Sequence, residues 1–156
     1  MAKLVLDANV IVGWLDQSDS LNARAMKLLD DIHSAGDSYL LLDFIVSEAV
    51  SVMCRRACQR KSNPPDLPGI LEKVKGLFQR NEIEFVEREI EVVYPDVLEI
   101  IGGSAGSLNF NDAALIVLQQ RGLIGEIDNP LWMMSLFDTQ MFLKGRDSSL
   151  EPTIGL

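Results

Sequence analysis

The chain has 156 residues, 47% of them hydrophobic and 24% charged. Those figures fit one globular domain and exclude a disordered or low-complexity polypeptide. The net charge is −9, so contact with nucleic acid has to rest on where the 14 Lys and Arg stand and on a cation that reverses the sign of clustered acids locally.

The opening Met1-Ala2-Lys3-Leu4-Val5-Leu6-Asp7 carries an apolar run too short for a secretory signal, stopped by an acid. No stretch approaches the roughly 20 apolar residues that span a bilayer. The expectation is a cytoplasmic protein with no membrane partner. Cys54 and Cys58 stand four apart on an expected helix and read as free thiols, because such a pair is poorly placed for a disulfide. The single histidine, His33, excludes a two-histidine ribonuclease and a His-rich zinc site; it reads as surface or core filler.

In chain order, residues 3–6 form a short apolar strand ending at Asp7, and residues 9–15 a short helix. Asp16-Gln17-Ser18-Asp19-Ser20 is a polar break. Residues 21–34 show helical spacing through Leu21, Ala25, Leu28, Leu29 and Ile32, closed by Ala35-Gly36. Residues 38–42 form a second strand, and 45–60 a long helix with Val46, Ala49, Val50, Met53 and Ala57 inward. Ser62-Asn63-Pro64-Pro65-Asp66 ends that helix.

Residues 67–81 are a helix, 83–86 a short strand, and 92–101 a helix with Pro95 near its first turn. Gly102-Gly103-Ser104-Ala105-Gly106-Ser107 reads as a flexible link. It lacks the Lys-Ser/Thr end of a phosphate loop. An apolar helix over 111–121, a strand over 131–136 and a closing helix from 138 to 143 complete the reading. Strands alternating with helices indicate an α/β fold, with a central, mainly parallel sheet covered by helices on both faces. The expectation is one domain over residues 1–156.

In such folds ligands gather at the carboxyl ends of the strands. Asp7 follows the first strand, Glu48 lies in the first turn of the helix after the second, Asp112 opens the apolar helix, and Asp138 follows the last strand. Each acid has an ordinary reading as a helix cap or a helix-dipole partner. Together they carry more. Carboxylates about 4 Å apart repel by roughly 4 kcal/mol per pair at an effective dielectric near 20, so such a group needs a cation. Oxygen ligands without His or Cys favour Mg²⁺ or Mn²⁺ over zinc.

The segment Leu4-Val5-Leu6-Asp7-Ala8-Asn9-Val10-Ile11 resembles the opening of PIN domains. Val46-Ser47-Glu48-Ala49-Val50 resembles their second motif, and Asn111-Asp112-Ala113-Ala114-Leu115 their third. Ser135-Leu136-Phe137-Asp138-Thr139-Gln140-Met141-Phe142 is similar to the last, although Leu136 stands where the family has Thr or Ser. Gly125-Glu126-Ile127-Asp128-Asn129-Pro130 reads as an insertion, and Asp128 is the alternative to Asp138 as the fourth acid.

The resemblance implies a three-layer α/β/α, PIN-like domain that hydrolyses RNA with metal-activated water. Its products would carry a 5′-phosphate and a 3′-hydroxyl. Asp7, Glu48 and Asp112 would hold one Mg²⁺ or Mn²⁺, Asp138 would hold that ion or a second, and Asn9 would orient Asp7 or a metal-bound water. A small chain of this kind also resembles the toxin of VapBC toxin–antitoxin pairs, which implies a homodimer and an antitoxin partner.

Arg55, Arg56, Arg60 and Lys61, with Arg24 and Lys27, form either a phosphate-contacting rim or a solvated helix surface. A phosphatase of the haloacid dehalogenase type also begins with a strand ending in Asp, but needs a second Asp where this chain has Asn9. The remaining alternative is a PIN-like scaffold or interaction module without catalysis.

Overall fold

The structure is a computed structural model that describes residues 3–104 and 107–124 and the backbone of residues 133–134. Strand β1 (Lys3–Leu6) is buried from Leu4 onward. Asp7 ends it and caps α1 (Ala8–Leu15), its carboxylate accepting from the Ala8 amide. Helix α2 (Asn22–Ser34) crosses α1 closely at Gly13: a Cβ there would stand 3.1 Å from the Ala25 methyl. Asn22 Nδ2 donates to the Gly13 carbonyl at 2.7 Å and locks the crossing.

Strand β2 (Ser38–Leu42) leads into α3 (Asp43–Gln59). Helix α4 (Leu67–Gln79) starts with Asp66 as its cap, and β3 (Ile83–Glu84) follows. Helices α5 (Glu87–Gly103) and α6 (Phe110–Gln120) pack on each other. Strand β4 (Met133–Met134) is the last described element.

The four strands form one sheet in the order β3-β2-β1-β4. Every pairing is parallel, with Leu4 opposite Tyr39, Val5 opposite Met133 and Leu41 opposite Ile83. Parallel neighbours need crossover connections, which the helices supply. Leu4, Leu6, Ile11, Leu41, Leu42, Ile45, Met53 and Leu118 are fully buried around the sheet. Each such side chain contributes about 1.5–3 kcal/mol relative to exposure. The fold is thus mixed α/β with a parallel sheet, as the alternation of elements predicts. Among the described residues no helix is long and apolar enough to cross a membrane.

Several boundaries differ from expectation. Helix α3 begins at Asp43, so Glu48 sits in its second turn and not its first. The early start is a tertiary effect: Asp43 Oδ1 accepts from the Val86 amide at 3.2 Å, which ties the start of α3 to the end of the β3 segment. Helix α5 begins at Glu87, which places Pro95 inside it instead of near its start. Glu87 and Glu89 occupy its first turn, where the helix dipole favours acids. Val93 and Val97 bury one face across the proline while Pro95 faces outward. That burial offsets the hydrogen bond the proline cannot make.

Gly102 and Gly103, expected in a flexible link, still belong to α5. The polar break after α1 is not solvated throughout, because Asp16 and Asp19 are 2% and 7% exposed. The expected closing helix over 138–143, and residues 131–132 and 135–136 of the expected last strand, lie outside the described residues.

Candidate metal centre

Parallel strands place all their carboxyl ends on one edge of the sheet. β1 and β2 are central neighbours, with Val5 opposite Leu40. Asp7 therefore leaves β1 beside the start of α3, which carries Glu48 on its second turn. Both side chains are half-buried.

Asp7 is held by donors of its own segment. The Ala8 amide donates to Oδ1 at 2.7 Å and Asn9 Nδ2 donates to Oδ2 at 3.1 Å. Burial nevertheless raises the Asp7 pKa above the ordinary aspartate value, outweighing the bonds from Asn9 and Ala8, and the negative Glu48 carboxylate pushes it further the same way. Asp7 and Glu48 are thus close enough to feel each other's charge.

Glu48 is held from a distant part of the chain. Asn111 Nδ2, on the first turn of α6, donates to Glu48 Oε2 at 2.6 Å. This contact draws the start of α6 to the same edge. Asp112, the next residue, faces its own helix end. Its amide donates to Asn109 Oδ1 at 2.9 Å and its Oδ2 accepts from the Asn109 amide at 3.4 Å, forming a reciprocal capping box.

The site therefore unites Asp7, Asn9, Glu48 and Asn111, with Asp112 adjoining as a cap. Among the described residues no three His, Cys, Asp or Glu side chains converge closely enough to share a metal ion. Asp138 and its alternative Asp128 lie outside the described residues. The oxygens at this edge are those of the Asp7 and Glu48 carboxylates, each of which accepts from an asparagine Nδ2; carboxylate oxygens are the ligand type that suits a hard divalent cation such as Mg²⁺ or Mn²⁺. A cation there would also relieve the repulsion between Asp7 and Glu48.

Asn111 is the functional candidate that sequence reasoning did not single out. It stood within the third motif, but its spacing to Glu48 carries no local signal. The basic residues divide. Arg56 is bound to the buried Asp19, and Lys27 pairs with Asp31 on the surface of α2. His33 is exposed. Cys54 and Cys58 are free thiols. No family model, curated protein or solved structure matches the chain.

Proposed function

We propose that the protein is a PIN-type metallonuclease with a three-layer α/β/α domain, and that it hydrolyses RNA phosphodiester bonds with Mg²⁺ or Mn²⁺. The observation that carries this reading is the juxtaposition of Asp7 and Glu48 at the carboxyl ends of two adjacent parallel strands. Burial of Asp7 raises its pKa, and the Glu48 charge adds to that shift. A purely structural Asp cap needs neither a second acid beside it nor that burial.

Asp7 and Glu48 would hold the ion, with Asp112 completing the set by turning from its cap and Asp138 joining from beyond β4. The ion, when bound, supplies a nucleophile accessible near neutral pH and neutralises charge building on the phosphate. Asn9 orients Asp7 through its 3.1 Å bond. Leu6, Val10 and Ile45, near Asp7 and Glu48 in sequence, are buried in the core. The role of toxin in a toxin–antitoxin pair, with a protein antitoxin and a homodimeric state, belongs to the same proposal and rests on the motif resemblance alone.

One observation favours a second reading, a non-catalytic PIN-like interaction module: the Asp112 carboxylate is engaged in the capping box of α6. Calorimetric titration of Mn²⁺ into metal-free protein separates the two, together with cleavage of a mixed RNA substrate. The nuclease reading expects binding and cleavage that Asp7→Asn and Asp112→Asn both abolish while the fold persists. Folded wild type that takes up no Mn²⁺ at millimolar concentration overturns it in favour of the interaction module.

A further inference from the structure

Helix α4 buries Ile70 and Leu77 in the core, yet it carries a second apolar row. Leu71, Val74 and Phe78 stand three and four residues apart, so they share a face. Leu71 and Phe78 are 43% and 58% exposed, and Phe85, just past β3, is 60% exposed. With Val46 and Val50 of α3 they line an open groove of about 460 Å³. β3 is the end strand of the sheet, and no strand lies beyond it among the described residues.

Shape and charge together say what fits this groove. The Phe78 and Phe85 rings, edge to face at 6.1 Å, stand out beside the hollow they help to line. A two-fold interface needs such self-complementarity, because each copy presents the same patch to the other. A cavity of about 150 Å³ holds a benzene-sized ring, so the groove has room for a ring from a second copy. The lining also holds one cation and one anion, Lys75 and Asp43. A wholly basic or wholly acidic partner would be opposed by one of them. A second copy turned about a two-fold axis matches both, Lys75 against the partner's Asp43. Lys75 otherwise pairs with Glu72 at 3.6 Å on the helix surface, an exposed contact of little strength.

Area sets the strength of such a contact. The exposed parts of the two rings cover roughly a third of the ~800 Å² per partner of a standard interface. The rest of the groove adds to that, at a scale that suits a reversible dimer and not an obligate one. We propose that this groove is the interface of a reversible two-fold dimer, in which Phe78 of each copy enters the groove of the other and Lys75 faces the partner's Asp43. The inference rests on the homodimeric part of the reading proposed above and on none of its metal chemistry.

The test is analytical ultracentrifugation of the full-length protein over a roughly 100-fold range of concentration, comparing wild type with Phe78→Ser, Lys75→Glu and Leu98→Ser. Leu98, on α5, is 51% exposed and lies outside the groove, so it controls for the loss of an exposed apolar side chain. Circular dichroism checks the fold of each. Wild type is expected to pass from monomer to dimer as concentration rises. Phe78→Ser should weaken the dimer about 30-fold or more, as loss of a central aromatic anchor does. Lys75→Glu should weaken it at least about 10-fold by setting like charges face to face, and Leu98→Ser should leave it unchanged. A dimer that either groove substitution leaves unweakened, or that Leu98→Ser weakens equally, overturns the assignment of the groove while the homodimeric state stands. Wild type that stays monomeric throughout overturns the inference and the homodimeric state together, and leaves the metal centre to its own Mn²⁺ titration. If Phe78→Ser does not fold, Lys75→Glu, on a side chain 59% exposed, decides alone.

Discussion

Asn9 Nδ2 lies 3.1 Å from Asp7 Oδ2 and donates to a carboxylate that its surroundings would rather keep neutral. Burial and the Glu48 charge raise the Asp7 pKa, and the bonds from Asn9 and Ala8 only partly offset them. A raised pKa means that the folded state holds the proton more tightly than the unfolded chain does. Stability from this group is complete below the ordinary Asp range of about 3.9 and declines as pH rises through the folded-state value.

The first prediction follows from that sign. In metal-free protein, Asp7→Asn should be more thermally stable than wild type at pH 7, because asparagine still caps α1 and carries no charge. The gap should narrow as pH falls toward about 4. Thermal unfolding at pH 7, 5.5 and 4 in the presence of chelator checks it. A variant less stable than wild type at pH 7 refutes the account of Asp7 as a strained functional acid. On the proposed nuclease reading, the same variant should lose RNA cleavage by at least about 100-fold, given the several kcal/mol of transition-state charge stabilisation that a bound metal supplies.

The second prediction concerns two ion pairs of unequal worth. Asp19 and Arg56 have side chains 3% and 28% exposed, whereas Lys27 and Asp31 are 75% and 61% exposed. Arg56→Ala would leave Asp19 as a buried acid that keeps the Leu21 amide on Oδ1. The expected cost is about 2–3 kcal/mol, somewhat below the roughly 3–5 kcal/mol for a fully buried pair, since Arg56 retains some solvent. Lys27→Ala should cost no more than about 0.5 kcal/mol. Urea denaturation of the two variants measures the contrast, and equal costs would contradict it.

The third prediction addresses the α6 cap. Asn109→Ala removes one side of the capping box and should destabilise the protein by about 1 kcal/mol. A midpoint in urea identical to wild type would mean that the Asn109 side chain does not cap α6.

The fourth prediction concerns the surface beside α3 and α4. Phe78 and Phe85 stand 58% and 60% exposed, with their rings edge to face at 6.1 Å. They border a groove of about 460 Å³ lined also by Val46, Val50 and Val74. The ring pair is worth roughly 0.5–1.5 kcal/mol beyond area burial, so Phe78→Ser with Phe85→Ser should cost little more than that. Fluorescence of a hydrophobic dye should fall in the double variant. An unchanged signal would locate the dye-binding surface elsewhere.

Local chemistry was legible where neighbours in sequence decide the structure. Strand β2 has the bounds its apolar run predicts, set off by Gly36-Asp37 before it and the helix after it. The acids at Asp7 and Glu48 were legible because parallel strands fix which end they occupy. What escaped the sequence was decided by distant partners. The bond from Val86 to Asp43 moves the start of α3 and so the turn on which Glu48 sits. The buried valines of α5 override a proline that ordinarily marks a helix start. Asp16 and Asp19 look like a solvated loop until Arg56, 37 residues away, is seen on Asp19. Asn111 became a site residue only when α6 and α3 met.

The strand order has a consequence for how the chain is made. β1 is synthesised well before β4, yet one of its two edges pairs with Met133–Met134. At about 5–20 residues per second, translation must continue for roughly ten seconds after β1 emerges before that edge can close. During that interval β1 can pair only with β2, exposing a row of unsatisfied amides and carbonyls along an apolar strand. An open edge of that kind invites pairing with other chains. The nascent polypeptide is therefore most aggregation-prone between the emergence of β2 and that of β4, and protection by a ribosome-associated chaperone matters most in that window.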